Sequence, residues 1–193
     1  MSNLITNNIQ AATGTTITLQ PGSSIAGTKV GAIAQPGMII QTVWVSTKNR
    51  QTYTTPSSGT GQRLYDLDID IQPTYSNSLI WLQYLMFYDC HHDNVFTILR
   101  NGSLVGYNSQ DGANPWSGVA SMLYDNDYGS TPTNQYITWF DSPGTTSNTT
   151  YSIAARCSSN TNYTIALNRT LSSWGQDSYE TGTSLVVAME IAQ

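Results

Sequence analysis

The chain has 193 residues, which is enough for one β-rich domain with a sizeable core and too few for several large domains. Charged residues make up 10% of it, against about 25% in a typical soluble protein, and only 2 Lys and 2 Glu accompany 26 Thr and 22 Ser. Lys and Glu are common on helix surfaces, whereas Thr, Tyr, Val and Ile favour strands. The composition therefore predicts an all-β protein and excludes a helical bundle.

The charge pattern narrows the classes of partner. The net charge is −5, and the 7 Lys and Arg residues are scattered, so no basic stripe is available to neutralise phosphates. We expect no nucleic-acid partner. The first residues lack the basic start and apolar run of a signal peptide, and no stretch approaches the roughly 18 apolar residues of a membrane helix. We also expect no membrane insertion.

Residues 1–37 differ from the rest of the chain because they contain no aromatic side chain and consist of short β-like pieces between Gly and Pro turns. Such a segment cannot build a core of its own and is stable only when it pairs with another surface. The sequence predicts an extended N-terminal arm or anchor over residues 1–37 and a β-sandwich knob over residues 38–193. The apolar residues expected to anchor the arm are Ile17, Leu19, Ile25, Val30 and Ile33.

From residue 38 onward, strands alternate with turn clusters. Residues 38–46 alternate, which places Ile40 on the same strand face as Trp44. Residues 65–71 give the clearest period of two, with apolar side chains from Tyr65 to Ile71 on one face and three Asp on the other. Residues 79–88 are nearly all apolar or aromatic, which predicts a strand covered on both faces.

The second half of the chain continues the pattern. Asn101-Gly102 lies between two apolar runs, and its tolerance of positive φ predicts a β-hairpin there. Further strands are predicted at residues 118–124, 135–140, 150–157, 163–171 and 184–191. Their number and spacing are typical of sandwiches and barrels. The predicted fold is an all-β, jelly-roll-like antiparallel β-sandwich preceded by the extended N-terminal arm. Trp44, Trp81 and Trp139 are predicted to lie in the core or in an interface.

The order and spacing of several segments resemble a family of tailed-phage virion proteins that is frequent in marine and cyanobacterial phages and is described as tail-fibre-like. The resemblance spans most of the chain and rests on residues 36–42, 69–73 with 76–78, 96–103, 140–151 and 189–192. It implies a homotrimeric β-sandwich knob displayed on a virion, either as a fibre tip or as a capsid decoration. The chain lacks the long shaft of a full tail fibre, which leaves room for a compact decoration or cement protein.

The residues that carry chemistry are few. Cys90, His91, His92 and Asp93 form one cluster of metal-ligand types, but adjacent side chains on a strand point to opposite faces and do not easily converge on one ion. Cys90 and Cys157 are consistent with free core thiols or a single bridge, and we favour free, buried thiols. No nucleophile-elbow motif or paired carboxylates stand out. We predict a non-enzyme without catalytic residues, metal or cofactor.

A smaller group of aromatic residues lies in predicted loops beside Asp and Asn. Rings next to such polar groups can stack on sugars and bond their hydroxyls, and the alternative is that they fill an interface. The candidate receptor or glycan contacts are Trp116, Tyr124, Tyr128 and Trp174.

Together, the residues and the resemblance predict a virion structural protein on the capsid exterior or the tail, assembled in the host cytoplasm. The expected partners are other copies of the chain in a homotrimer, and the major capsid protein or tail and baseplate proteins. The alternative function is a host-receptor or glycan-binding tip of a tail fibre.

Overall fold

The computed structural model describes residues 34–90, 92–108, 117–121, 129–157, 161–172 and 179–193. Their regular structure is almost entirely strand, with one 3-10 turn at Tyr65–Leu67. The strands are β1 (Ile39–Thr47), β2 (Gln51–Thr55), β3 (Gln62–Arg63), β4 (Ile69–Ile71), β5 (Leu79–Asp89), β6 (Asn94–Arg100), β7 (Ser103–Gly106), β8 (Ala120–Ser121), β9 (Thr133–Asp141), β10 (Thr149–Cys157), β11 (Tyr163–Leu167) and β12 (Ser184–Ile191).

The first sheet, called sheet A, is organised around β5. Strand β9 pairs with one edge of β5, and β12 and β11 pair in turn with the other edge. Strands β1 and β2 follow one another along the chain and pair with β12 and β11. Within the described residues, β5 is therefore an interior strand, while β1 with β2 and β9 form the two margins of the sheet.

The second sheet, sheet B, is organised around β10 and β6. Strand β10 pairs with β6 along seven residues and with β3 and β4 on its other edge. Strand β6 pairs with β7 and β8. All pairings in both sheets are antiparallel, and the chain crosses repeatedly between them. The predicted all-β antiparallel sandwich is confirmed.

The core lies between the two sheets. Side chains at alternate positions of β5 are fully buried, as expected when one strand face packs against a facing sheet. Strands β6 and β10 supply the opposing side chains, and Tyr88 meets Phe96 edge to face with ring centroids 5.4 Å apart. The largest fully buried side chains are Tyr84, Tyr88, Tyr151, Phe96, Leu64, Leu67, Ile69, Ile71, Ile80, Leu82, Met86 and Ile98.

The hairpin predicted at Asn101-Gly102 is confirmed. Strands β6 and β7 meet at this turn, and Asn101 and Gly102 have φ values of 48° and 79°. Two successive positive φ values twist the chain in the sense that matches the twist of paired strands. The two thiols favoured as free, Cys90 and Cys157, are indeed buried and unbridged.

Three strand predictions are corrected in detail. Residues 65–71 are not one strand, because a 3-10 turn precedes β4 and turns Tyr65 outward to 60% exposure. Ile40 is not in line with Trp44, because the register shifts between Ile39 and Gln41. That bulge places Ile39 on the Trp44 side of the strand. Strand β11 ends four residues earlier than residue 171 because Asn168 takes a positive φ of 60°.

Asn168 is also a buried junction between strands. Its Nδ2 donates to the carbonyl oxygens of Thr47 at 3.1 Å and Asn49 at 2.9 Å, where the chain passes from β1 to β2. Its Oδ1 accepts a hydrogen bond from Ser184 Oγ at 2.7 Å, at the start of β12. The side chain thus links the end of β1, the segment that leads into β2 and the start of β12. Because Asn168 is fully buried, its Asn-x-Thr context does not mark an accessible glycosylation site.

Glu190 of β12 is a second buried polar junction, with no exposed surface. Its carboxylate accepts hydrogen bonds from Gln41 Nε2 (2.6 Å), the amides of Thr74 (2.7 Å) and Tyr75 (3.1 Å), and Ser78 Oγ (2.6 Å). Burial alone raises the pKa of Glu190, but these donors together outweigh burial and leave the pKa below its ordinary value. The carboxylate therefore fixes the loop before β5 to β1 and β12.

We predict that Glu190→Gln lowers the free energy of unfolding by about 2–3 kcal/mol at pH 7, because the new amide nitrogen faces donors. The folded-state pKa is depressed, so the carboxylate contributes stability above its unfolded pKa of about 4.3 and loses it as the pH falls through the folded pKa. Urea unfolding of both proteins at pH 7 and pH 3 should show a smaller difference at pH 3. Equal stabilities at pH 7 would contradict this role.

A second prediction compares two fully buried tyrosines. The hydroxyl of Tyr151 donates to Asp141 Oδ2 at 2.6 Å, whereas that of Tyr84 has no hydrogen-bond partner among the described residues. Tyr151→Phe should therefore lower the free energy of unfolding by about 1.5–3 kcal/mol, and Tyr84→Phe should leave it unchanged or raise it by about 1 kcal/mol. Thermal or urea unfolding measures both. A larger loss in the Tyr84 variant than in the Tyr151 variant would refute the assignment.

Candidate interaction surface

The side of sheet A that faces away from the core is apolar and exposed. Four paired strands, β1, β12, β5 and β9, contribute every second residue to it. We call this surface the outer face. Its residues contain no Asp, Glu, Lys, Arg or His and are Ile39, Thr42, Trp44, Ser46, Leu185, Val187, Met189, Ile191, Leu79, Trp81, Gln83, Leu85, Tyr136, Thr138 and Phe140.

The strand registers set these side chains in rows across the sheet. One row runs from Trp44 through Val187 and Gln83 to Thr138. Neighbouring strands lie about 4.8 Å apart, so side chains within a row touch and form a continuous surface. Residues distant in the sequence are brought together in this way.

Exposure on the outer face is unusual for large apolar residues. The exposed fractions are 69% for Trp44, 52% for Ile39, 54% for Tyr136, 50% for Phe140 and 42% for Leu85. Because a large apolar side chain offers about 150–250 Å², these five expose on the order of 500 Å². The largest apolar patch on a typical monomer is about 300–600 Å² and often has a function, so the outer face has the size of a binding surface.

Part of the outer face is held rigid. Trp81 stacks on Phe140 with ring centroids 5.5 Å apart and an interplanar angle of 17°. The indole N–H of Trp81 donates to Thr138 Oγ1 at 2.7 Å. Side chains that are already ordered lose less entropy when a partner covers them. The side chains of Trp81 and Phe140 are therefore ordered before a partner binds.

The far end of β5 is covered by neighbouring chain and marks the limit of the outer face. A Cβ on Gly182 would come within 2.3 Å of the Phe87 ring, so only glycine allows the backbone to lie over that ring. Asp89 is fully buried, and its Oδ2 accepts a hydrogen bond from the amide of Leu171 at 2.8 Å. The carboxylate of β5 is thus kept away from the exposed surface.

The structure corrects one expectation about β5 and resolves another about the tryptophans. Strand β5 was predicted to be covered on both faces, but the outer side reaches 42% exposure at Leu85. Trp139 packs against the core, whereas Trp44 and Trp81 lie on the outer face. Sequence reasoning placed no site on β12, although its outward residues Leu185, Val187, Met189 and Ile191 are all apolar.

The predicted receptor or glycan contacts, Trp116, Tyr124, Tyr128 and Trp174, lie outside the described residues. The arm residues Ile17, Leu19, Ile25, Val30 and Ile33 also lie outside them. Both assignments stay predictions.

The cysteine and histidine segment has local contacts. Cys90 Sγ donates to the His92 carbonyl oxygen at 2.8 Å, and burial is the largest of the effects that raise the pKa of this thiol to about 12. The His92 ring stacks on Tyr163. His91 lies outside the described residues. In the part of the chain that the structure describes, no three His, Cys, Asp or Glu side chains converge as metal ligands would.

The three aspartates near β4 are each bound by neighbours. Asp66 accepts hydrogen bonds from Tyr53 OH at 2.5 Å and Asn49 Nδ2 at 2.7 Å. Asp68 forms an ion pair with Arg63 at 2.6 Å, and Asp70 accepts a hydrogen bond from a threonine of β10. Their role is to fix the 3-10 turn and β4 to adjoining elements.

Comparison with known proteins gives no family. No family model matches the chain, and no curated protein matches it. Among solved structures, VP2 of infectious bursal disease virus in its subviral particle has a TM-score of 0.32 and 10% identity, over 89% of this chain and 43% of that one. The structure of the Gx strain of that virus has a TM-score of 0.32 and 12% identity, over 92% and 42%. The chain spans less than half the length of either protein.

In the described residues, no helix is long and apolar enough to cross a membrane. The resemblance to phage virion proteins stays a prediction.

Proposed function

We propose that this protein is a structural component of a phage virion, a homotrimeric surface knob that serves as a capsid decoration, a cement protein or a short fibre. The observation that carries the proposal is the outer face, an uncharged surface from which Trp44, Tyr136 and Phe140 project at 50% exposure or more. In a protein that functions by assembly, another protein covers an exposed apolar surface of this kind.

The size of the outer face supports an assembled state. Burying on the order of 500 Å² of apolar surface on one side of a contact contributes about 12 kcal/mol at about 25 cal/mol per Å². The covering surface of the partner contributes further. Association costs about 4–15 kcal/mol in lost freedom and side-chain ordering. The gain from the outer face is therefore of the same size as the cost of association, and the covering surface of the partner supplies the surplus that makes the contact stable.

The remaining parts of the proposal come from the sequence. Residues 1–37 serve as an arm that attaches the knob to the major capsid protein or to tail and baseplate proteins. The protein is placed on the capsid exterior or the tail and assembles in the host cytoplasm. It acts by binding other virion proteins and stabilising the particle, and it catalyses no reaction.

We predict that replacing Ile17, Leu19, Ile25, Val30 and Ile33 together by serine removes the protein from particles while the knob stays folded. The reason is that these are the apolar side chains with which the arm would hold a virion surface. Particles purified after complementation with this variant or with the unchanged chain are analysed by mass spectrometry, and deletion of residues 1–37 serves as a second variant.

The controls for that experiment are the circular dichroism and melting temperature of each purified variant. Incorporation of both variants at the wild-type level would exclude the arm as the anchor. Absence of the unchanged protein from purified particles would overturn the virion role itself.

A further inference from the structure

We infer that the outer face of sheet A is where copies of this chain bind one another. This inference deepens the proposed structural function and rests on it, because it identifies what covers the surface. The occupant is a second copy of the chain, and in the proposed trimer each outer face meets the outer faces of both neighbouring copies.

The apolar composition of β5 favours this occupant. Strand β5 carries Leu82 and Tyr84 toward the core and Trp81 and Leu85 away from it. A strand that is apolar on both sides is typical of sheets that are covered on both sides. The described residues cover only the inner side of β5 as far as Leu85, and the outer side suits a second molecule.

The distribution of charge also favours contact between copies at the outer face. The chain has 12 acidic and 7 basic residues, so two copies repel one another at most orientations. The outer face carries none of these charges, and identical molecules can meet there without placing like charges together. Recognition of an unlike protein commonly uses complementary charged patches. A neutral surface on a negatively charged chain suits contact with itself.

Side-chain exposure varies across the outer face in a way that favours contact between copies. The most exposed side chains lie on the margins of the sheet, with Trp44 on β1 and Tyr136 and Phe140 on β9. Between them, Val187 and Met189 of β12 are partly buried. Each copy therefore offers more exposed aromatic margins and a less exposed aliphatic strip, and a margin of one copy packs on the strip of the next. Because margin and strip are different parts of one surface, the contact is head-to-tail and closes into a ring such as the proposed trimer.

The area of the outer face allows such contacts. Three outer faces that meet in a trimer bury on the order of 1,500 Å² from the five largest exposed side chains of each copy, which is about 500 Å² for each of the three contacts. The remainder of the about 1,000 Å² expected of a specific interface comes from the smaller side chains between the aromatic margins.

The test uses the full chain and measures its mass in solution by sedimentation velocity from about 1 to 100 μM, a range that brackets micromolar affinity. Trp44→Glu and Leu85→Glu each place a charge on the outer face at a position that tolerates water. Tyr65→Glu is the matched control, since Tyr65 is an aromatic residue with 60% exposure outside the outer face. Near-ultraviolet circular dichroism checks that all three variants stay folded.

We expect the unchanged chain to be oligomeric, and both outer-face variants to raise the dissociation constant at least about 30-fold, as the loss of an interface hot spot does. The Tyr65 variant should match the unchanged chain. A monomeric unchanged chain, or folded outer-face variants with unaltered mass, would overturn the inference.

The outcomes separate this inference from the virion role. A monomeric chain that still enters particles would mean that an unlike virion protein covers the outer face, which refutes self-association and the trimer and leaves the virion role standing. An oligomeric chain that is absent from particles would refute the proposed function and leave the interface standing.

Discussion

The constraint on which the structure depends is that β5 is apolar on both sides. Its inner side chains, Leu82 and Tyr84 among them, are fully buried in the core. Because successive side chains on a strand point to opposite faces, Trp81 and Leu85 must face the other way. The fold satisfies one side by placing sheet B against it. In the part of the chain that the structure describes, the other side is exposed, and the proposed function rests on that imbalance.

Buried polar groups keep the outer face in place. Glu190 lies on the inner side of β12 and binds β1 and the loop before β5, so the three strands that carry most of the outer face share one carboxylate. Asn168 secures the far ends of the same strands through Thr47 and Ser184. The polar atoms of the Glu190 and Asn168 side chains all have hydrogen-bond partners, which makes one strand arrangement more stable than its alternatives. Polar groups on the inner side of the sheet thus hold in place the strands whose outward side chains form the apolar surface.

Local patterns made much of the fold predictable. The Asn101-Gly102 turn and the strands β9, β10 and β12 depend on neighbours in the sequence, and each was found close to its predicted bounds. The 3-10 turn at Tyr65 and the bulge after Ile39 depend on tertiary contacts, so alternation alone misplaced them. The outer face required the pairing of β1, β12, β5 and β9, which are far apart in the chain. Its local signal was that β5 is apolar at both even and odd positions apart from Gln83 and Asp89, and that β12 is apolar at every odd position.

The central claim is that the outer face is covered in the working protein, and its solvent access in the assembled state tests that claim most directly. Hydroxyl-radical footprinting with mass spectrometry reports the access of individual aromatic and sulfur side chains. At concentrations where the protein is assembled, Trp44, Phe140 and Met189 should react several-fold more slowly than in dilute protein, while Tyr65 reacts at an unchanged rate. Outer-face residues that stay as reactive as Tyr65 in the assembled state would contradict the account.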